Sequence, residues 1–445
     1  MTGPDSVTVG GDRSGRRYAL VAGGGTAGHL QPALAIAEAL VDLGHDRSSI
    51  EFVGSERGQD AATLEGRGFP MTLLPGRGIV RSLAPRTVVA NLRSAGELGV
   101  AAARAVRLVG RARPRVVVAV GGYASLAGAV GALVHRVPLV LVNVDAVPGA
   151  ANRLFGRLAT ASAVGWEGTP LPRAVVTGTP VRPEIAAVER SSSARSAARE
   201  LLGLAPGRSV VVVFGGSLGA RQINRAVDGA ARRWATRDDL AVYHIVGRRD
   251  WPAYTTDPGV ERLESPGSRA RSAPGNESGS ASGNGSGSES DGVSGSESDR
   301  ASGSASGPDG LDLVRVPYEQ RMAAVYAAAD VVVCRAGAMT VAELAAAGVP
   351  SVLVPLPGAP GDHQTANARV LERAGAAVLL PDPDCTPAGL AGAVEALLAD
   401  PDRLATMGRA AASVARPDAA AAGARVVEAA AGRDGASGDR RRGER

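Results

Sequence analysis

A histidine, a serine, an arginine and a glutamate stand beside glycine-rich turns in this chain, each placed where a polar side chain could meet an anion or a hydroxyl. His29 closes the run Gly23-Gly24-Gly25-Thr26-Ala27-Gly28 and is one of five histidines. An imidazole titrates near neutrality and can take a proton from an alcohol, although a lone histidine is more often structural. Ser217 lies within Gly215-Gly216-Ser217-Leu218-Gly219-Ala220-Arg221, where backbone amides flanked by glycine can approach a phosphate closely. Arg182 ends Thr179-Pro180-Val181-Arg182; a guanidinium there can grip phosphate oxygens or simply lie solvated at a strand end. Thr340-Val341-Ala342-Glu343 has the spacing of a capping box, in which the glutamate turns back to its own helix N-terminus. Asp382-Pro383-Asp384 could chelate a divalent cation, but its proline-rich setting favours a turn.

The elements that must hold these groups follow from residue pattern. Val331, Val332 and Val333 form a β-branched buried strand, Gly337 permits a tight turn, and the Ala/Leu-rich run after Thr340 is a strong helix former. A second strand and a polar loop follow, so 331–367 is one βαβ unit with a helix N-terminus at the carboxyl end of a strand. In open α/β sheets that edge binds ligands, and the unpaired amides of the first helical turn favour anions. The same strand-glycine-helix order occurs at Gly23–His29, at Gly121-Gly122-Tyr123-Ala124-Ser125 and at Gly215–Arg221. Gly23, Gly25 and Gly28 also satisfy the GxGxxG spacing of a dinucleotide site. That reading wants an acid ending the second strand. In IEFVG the acid, Glu51, stands at the start, and Glu56 just beyond keeps an NAD(P)-dependent oxidoreductase open as an alternative. No GxxxxGK[ST] occurs, which argues against a P-loop NTPase.

Strand-like runs alternate with helical ones from Tyr18: YALVAGGG, a helix from Pro32 to Leu43, IEFVG, a helix-prone stretch to Gly110, VVVAVGG, another helix, then VPLVLVNV. The fold class is α/β with parallel sheets. The pattern pauses over Val175–Ile185 and restarts at SVVVVFGG, and 445 residues suit two domains better than one core. The segment 264–310, almost wholly Ser, Gly, Glu, Asp and Asn, cannot bury enough apolar surface to offset ordering entropy and is expected to be a disordered insertion. Residues 1–16, which lack the apolar region of a secretory signal, and 433–445 are expected to be disordered tails. Val116–Val134 carries no charge and nearly spans a bilayer, but Gly121-Gly122-Tyr123 splits it into strand, turn and buried helix. Two cysteines, Cys334 and Cys385, make no disulfide framework or metal spacing and suit a reducing cytoplasm. A net charge of +5 permits an acidic partner without naming one.

With its glycine loops, Thr179–Arg182 and Cys334–Glu343 assembled, the chain resembles the MurG family, the bacterial N-acetylglucosaminyltransferases that convert lipid I to lipid II in peptidoglycan synthesis. The resemblance runs from about Arg17 to Ala430 apart from the Ser/Gly insertion, and Cys334–Glu343 is its most specific motif. It implies a GT-B architecture, two Rossmann-like parallel-sheet domains facing across a cleft. An acceptor and membrane domain would occupy 17–178 and a UDP-GlcNAc domain 179–402, with a helix near 403–430 packing back on the first. It also implies inverting transfer of GlcNAc from UDP-GlcNAc to the MurNAc 4-hydroxyl of undecaprenyl-linked lipid I, with no cofactor or essential metal.

By motif, Thr26, Ala27, Gly28 and His29 match the family's first glycine loop, with Gly28, Gly121 and Gly122 facing the acceptor diphosphate and His29 as the base. Arg182 and Ser217 match donor-phosphate contacts; Ala338, Met339, Thr340, Val341, Ala342 and Glu343 match the nucleotide-binding turn; Gln364 matches a sugar contact. In this light Glu343 accepts hydrogen bonds from two ribose hydroxyls, since bidentate acceptance suits a cis-diol. Departures stand opposite it. Where the family carries HEQN, the chain has Val142-Asn143-Val144-Asp145, so Asp145 puts a carboxylate where an amide would hold the sugar. Leu218 replaces a glutamine and Thr179 an asparagine. A GT-B enzyme with another acceptor fits the same motifs.

From Arg67 to Arg115 ten arginines face a single acid, Glu97, among apolar residues such as Leu73, Ile79 and Leu83. A solvated basic face would look the same. The mixture also suits docking on an anionic inner-leaflet surface, which places the protein peripherally on the cytoplasmic face of the membrane, within reach of cell-wall synthesis proteins. No stacking aromatics accompany the charge, so a nucleic-acid partner is not expected.

Overall fold

The computed structural model describes residues 17–24, 27–56, 64–75, 85–216, 219–256 and 310–439. The expected N-terminal tail, almost all of the 264–310 insertion and the last residues of the C-terminal tail lie outside these residues. Two parallel sheets organise the chain. The first contains β1 (Ala19–Gly23), β2 (Ile50–Ser55), β3 (Met71–Leu74), β4 (Val116–Gly121), β5 (Leu139–Asn143), β6 (Ala161–Val164) and β7 (Ala174–Val176), in the order β3-β2-β1-β4-β5-β6-β7. The second contains β8 (Ser209–Phe214), β9 (Leu240–Ile245), β10 (Asp312–Val316), β11 (Val331–Cys334), β12 (Ser351–Leu353) and β13 (Ala377–Leu379), in the order β10-β9-β8-β11-β12-β13. Central strands such as β1, β4 and β11 are buried along their whole length because helices cover both faces, which is why they read as unbroken apolar runs.

Parallel neighbours need crossover connections, and here the helices supply them. In the first sheet, helices Ala27–Asp42 and Ala419–Asp439 share one core, and Pro85–Ala112 and Gly122–Val134 build the core on the other face. In the second sheet, Arg221–Arg233 and Pro387–Leu398 cover one face. Helices Ser192–Leu201, Met322–Ala328, Ala338–Ala347 and His363–Arg373 cover the other, together with Trp166 from the first domain.

Several boundaries differ from the sequence reading. The first helix begins at Ala27 and carries Pro32 inside it, forgoing only the hydrogen bond that a residue there would give to the Gly28 carbonyl. The stretch read as helix-prone up to Gly110 also contains β3. The single helix expected near 403–430 is two, interrupted around Pro417: Pro401–Val414 stays on the second core through Met407 and Ala411, and Ala419–Asp439 returns to the first through Ala424 and Val427. That last helix runs past Gly432, where a tail was expected to begin, because extending a formed helix costs far less than starting one. Val116–Val134 is β4 and the helix after it, and no described helix is long and apolar enough to cross a membrane.

Candidate active site in the interdomain cleft

Each sheet has one place where neighbouring strands send their crossovers in opposite directions, and each opens a crevice at its carboxyl edge. In the first sheet this lies between β1 and β4, where Gly23 and Gly121 are in register. The two glycine loops touch so closely that no side chain fits between them. A Cβ at Gly122, whose φ is +80°, would overlap the Gly24 carbonyl, and one at Gly121 would overlap the His29 imidazole. Ser125 locks the arrangement, its hydroxyl donating to the Ala22 carbonyl at 3.0 Å and accepting from the Gly121 amide at 2.8 Å. Next to them is a cavity of about 390 Å³ whose walls include His29, Gly121, Gly122, Tyr123, Asn143 and Asp145.

The end of β5 forms the far wall of that cavity and is held by amides. Asn143 donates to the Asp145 carbonyl at 2.6 Å and accepts from Asn152 at 3.0 Å. The Val144 carbonyl accepts from the Trp166 indole at 3.1 Å and from the Thr179 hydroxyl at 3.2 Å. Thr179, the residue that departs from the family's asparagine, thus fixes the backbone beside Asp145.

In the second sheet the crevice lies between β8 and β11. Gly219, φ +85°, presses against the Val246 carbonyl at the end of β9, so the third glycine loop has no room for a side chain there. Asn224 ties the two loops, donating to the Val246 carbonyl at 3.1 Å and to Asp250 at 3.3 Å while its own carbonyl oxygen meets His244 Nε2 at 3.0 Å. Beyond β11, Gly337 is the N-cap of helix Ala338–Ala347, and as a glycine it brings no side chain to cap that terminus. Ala338, Met339 and Thr340 form its first turn, and Val341 and Ala342 are buried.

The capping box is not formed. Because the helix starts at Ala338, Thr340 lies inside the first turn rather than before it, and Glu343 points into the protein instead of back to the terminus. Its carboxylate accepts from the Tyr326 hydroxyl at 2.8 Å and from the Arg182 guanidinium at 3.4 Å. Burial pushes its pKa up, opposed by the Arg182 charge and the Tyr326 hydrogen bond. Arg182 also faces Glu184 at 3.5 Å. Gln364 turns its side-chain oxygen to the amides of Ala336, at 3.2 Å, and Leu356, at 2.9 Å, bracing the loops after β11 and β12. Asp382-Pro383-Asp384 is a 3-10 turn whose first aspartate pairs with Arg335 at 2.5 Å. Among the described residues no group of three His, Cys, Asp or Glu side chains converges as metal ligands would.

The two crevices meet through Asn367, which is fully buried. Its side-chain oxygen accepts from the Ala146 amide at 2.7 Å, and its nitrogen donates to Asp145 Oδ1 at 2.9 Å and to the Ala336 carbonyl at 3.2 Å. One amide therefore joins the end of β5 to the turn that starts the Ala338–Ala347 helix.

Residues 19–164 match the glycosyltransferase family 28 N-terminal domain, and residues 210–265 and 292–422 match the glycosyltransferase family 28 C-terminal domain. A relative from a Nocardioides species is 37% identical over 409 residues, covering 92% of this chain and 96% of its own. One from Desulforudis audaxviator is 34% identical over 419 residues, covering 93% and 98%. Both are UDP-N-acetylglucosamine--N-acetylmuramyl-(pentapeptide) pyrophosphoryl-undecaprenol N-acetylglucosamine transferases. The chain belongs to the MurG family. The fold is that of the solved Acinetobacter baumannii MurG, with a TM-score of 0.64 at 24% identity over 93% of this chain and 99% of that one. The family 28 C-terminal match skips residues 266–291, inside the Ser/Gly-rich segment.

The motif positions of the MurG family thus fall at two facing sheet edges. His29, Gly121, Gly122 and Asp145 gather at the first crevice, with Gly28 in the first turn of helix Ala27–Asp42 beside His29; Arg182, Ala338–Glu343 and Gln364 gather at the second. Thr26 and Ser217 lie outside the described residues, as does the side chain of Ala27. Glu51, which the dinucleotide alternative would need at the end of β2, instead pairs with Arg17 at 3.0 Å and accepts from Thr72 at 2.7 Å. Sequence reasoning missed Tyr326 and the bridging role of Asn367. Tyr326 carries no local signal, since its partner lies on another helix, but Asn367 stands one helical turn after Gln364 and could have been read as sharing its face.

Proposed function

We propose that the protein transfers GlcNAc from UDP-GlcNAc to the 4-hydroxyl of the MurNAc unit of undecaprenyl-pyrophosphoryl-MurNAc-peptide, forming the β-1,4 link of lipid II. The observation that carries this reading is Glu343: a buried carboxylate held by Tyr326 and Arg182, on the inner side of a helix whose N-cap is a glycine. A cis-diol can replace or join those donors, and the helix N-terminus with Arg182 and Ser217 meets the charge that develops on the departing diphosphate. Gln364 braces the sugar side of the same pocket. The acceptor enters the cavity beside Gly121 and Gly122, where backbone amides can approach its diphosphate. The reaction is a single displacement with inversion. Of the described side chains around that cavity, His29 and Asp145 are the two whose chemistry suits a general base. In this reading the chemistry needs no protein-bound metal or cofactor, because protein groups meet the charge of the leaving UDP.

The acceptor is lipid-linked, and the first domain supplies a surface to meet it. Val100, Arg104, Arg107 and Arg111 are exposed at helical spacing on Pro85–Ala112, and Leu154 and Leu158 are exposed beside Arg153 and Arg157. Such a surface would rest on an anionic inner leaflet at roughly 1 kcal/mol per basic residue near the lipid. The test is transfer of labelled GlcNAc to a lipid I analogue in anionic vesicles, together with calorimetric binding of UDP-GlcNAc. Turnover that weakens as salt rises is expected. UDP-GlcNAc binding without transfer would overturn the acceptor but not the donor, and binding of NAD(P) instead would overturn both.

A further inference from the structure

We infer that the Asp145 carboxylate is the group that takes the proton from the attacking hydroxyl. The inference rests on the glycosyltransferase reading and goes beyond it by choosing between the two acceptors of protons at the cavity. His29 lies against Gly121 in the first domain's crevice. Asp145 lines the same cavity but also reaches the second domain, where Asn367 donates to its Oδ1 at 2.9 Å. Asn367 in turn touches the Ala336 carbonyl at 3.2 Å, just before the Ala338–Ala347 helix, and stands one turn after Gln364. Asp145 is therefore the ionisable side chain of the cavity that sits where acceptor and donor must meet.

The local hydrogen bonds leave it suited to the task. Both faces of the Asn367 amide are committed, its oxygen to the Ala146 amide and its nitrogen to Asp145 and Ala336, so its orientation is set and Oδ1 of Asp145 is held in place. The Asp145 backbone is held by Asn143 at 2.6 Å. Oδ2 accepts no hydrogen bond from the described residues, and Asp145 is only half-buried and lines the cavity. In the reaction the hydroxyl oxygen forms its bond to the anomeric carbon, the bond from that carbon to the β-phosphate oxygen breaks with its electron pair staying on UDP, and the hydroxyl proton passes to Asp145 Oδ2. Solvent removes that proton after release. The exchange relative to HEQN then has a chemical sense: the amide at position 143 holds the loop, and the carboxylate at 145 does acid–base work.

Asp145→Asn is the decisive variant, because its side-chain oxygen can still accept from Asn367 and only the proton-accepting charge is lost. Its kcat for transfer to a lipid I analogue is expected to fall about 10²- to 10⁴-fold, the usual range for a lost general base, with KM and the UDP-GlcNAc dissociation constant within a few-fold of wild type. Slow hydrolysis of UDP-GlcNAc, in which water takes the hydroxyl's place, should fall in parallel, so the inference is tested even if the lipid acceptor is wrong. His29→Asn is expected to lose less kcat than Asp145→Asn. An Asp145→Asn enzyme with near-normal kcat, a loss confined to UDP-GlcNAc affinity, or a larger kcat loss in His29→Asn would each overturn the assignment.

Discussion

Between β1 and β4 the crevice is shaped by backbone packed against backbone, whereas between β8 and β11 one such approach, Gly219 on the Val246 carbonyl, is joined by buried charge. On the first side the contacts are Gly122 on the Gly24 carbonyl, Gly121 on the His29 ring and the neutral hydroxyl of Ser125. On the second they are Glu343 with Arg182 and Tyr326, Arg335 with Asp382, and Asp250 with Arg249 and Arg221. Close backbone approaches tolerate no added atom. A site made of ion pairs tolerates small changes of shape but answers to protonation. In the proposed reaction the lipid-linked acceptor would meet the first crevice and the nucleotide the second.

The largest effect should come from adding one carbon to the rigid side. Gly122→Ala places a side chain at φ +80°, at about 1–2 kcal/mol, and drives it into the Gly24 carbonyl, at a further cost of about 1–3 kcal/mol. A urea midpoint lowered by the equivalent of roughly 3 kcal/mol is expected, with transfer activity lost. Gly216→Ala is the matched control on the other side, since Gly216 has φ +93° but no described residue within 4 Å of where a Cβ would sit. It should lose only about 1–2 kcal/mol from backbone strain. Equal losses in the two variants would mean that crowding does not define the first crevice.

Glu343→Gln sharpens the electrostatic side. Burial raises the Glu343 pKa above its ordinary value near 4.5, so its charge costs the folded state stability at neutral pH; that cost is absent below the ordinary value and complete above the folded one. The amide should therefore raise stability by about 1 kcal/mol at pH 7.5 while weakening UDP-GlcNAc binding by about 1.5–3 kcal/mol, through lost charge-assisted hydrogen bonds. Arg182 keeps Glu184 at 3.5 Å and is not stranded. Calorimetry and urea titration moving in opposite directions would identify a carboxylate kept for binding. If both fall together, Glu343 is holding the fold.

The parallel α/β order, the glycine loops and the Cys334–Glu343 segment were legible because each is a local pattern: a buried strand, a turn that needs glycine, a helix start. Short strands were not. β7 is three exposed residues at a sheet edge and β13 is three residues, too few to show a period. Thr340 and Glu343 have the spacing of a cap, and spacing cannot tell whether a carboxylate turns to its own backbone or to a tyrosine on the neighbouring helix. The Asp145–Asn367 bond joins residues 222 positions apart and exists only because two domains close on each other. What the sequence marked at Asp145 was a departure from a motif, and the fold shows what the departure touches.

The smallest effect separates the two sides by acid. His244 is fully buried on β9, its Nε2 against the Asn224 oxygen and its Nδ1 without a partner among the described residues. Burial, helped by the Arg315 charge, pushes its pKa down to about 3. In the unfolded chain it would titrate near 6.5, so between those values the unfolded state binds the extra proton and stability falls as pH falls, by up to about 1.4 kcal/mol per pH unit. Asn224 links this imidazole to Val246 and Asp250, on which the third glycine loop packs, so the loosening should reach the second crevice. From pH 7 to 5.5 the exchange protection of the Val246 and Asp250 amides, corrected for the intrinsic slowing of exchange with acid, should fall, while that of Gly121, whose amide is held by the Ser125 hydroxyl, should hold steady. His244→Gln, which cannot gain a proton, should flatten the pH dependence at β9 even if it lowers stability overall. A wild-type response equal on both sides, or one unchanged in His244→Gln, would mean that the acid sensitivity lies elsewhere than in the buried polar cluster beneath the third glycine loop.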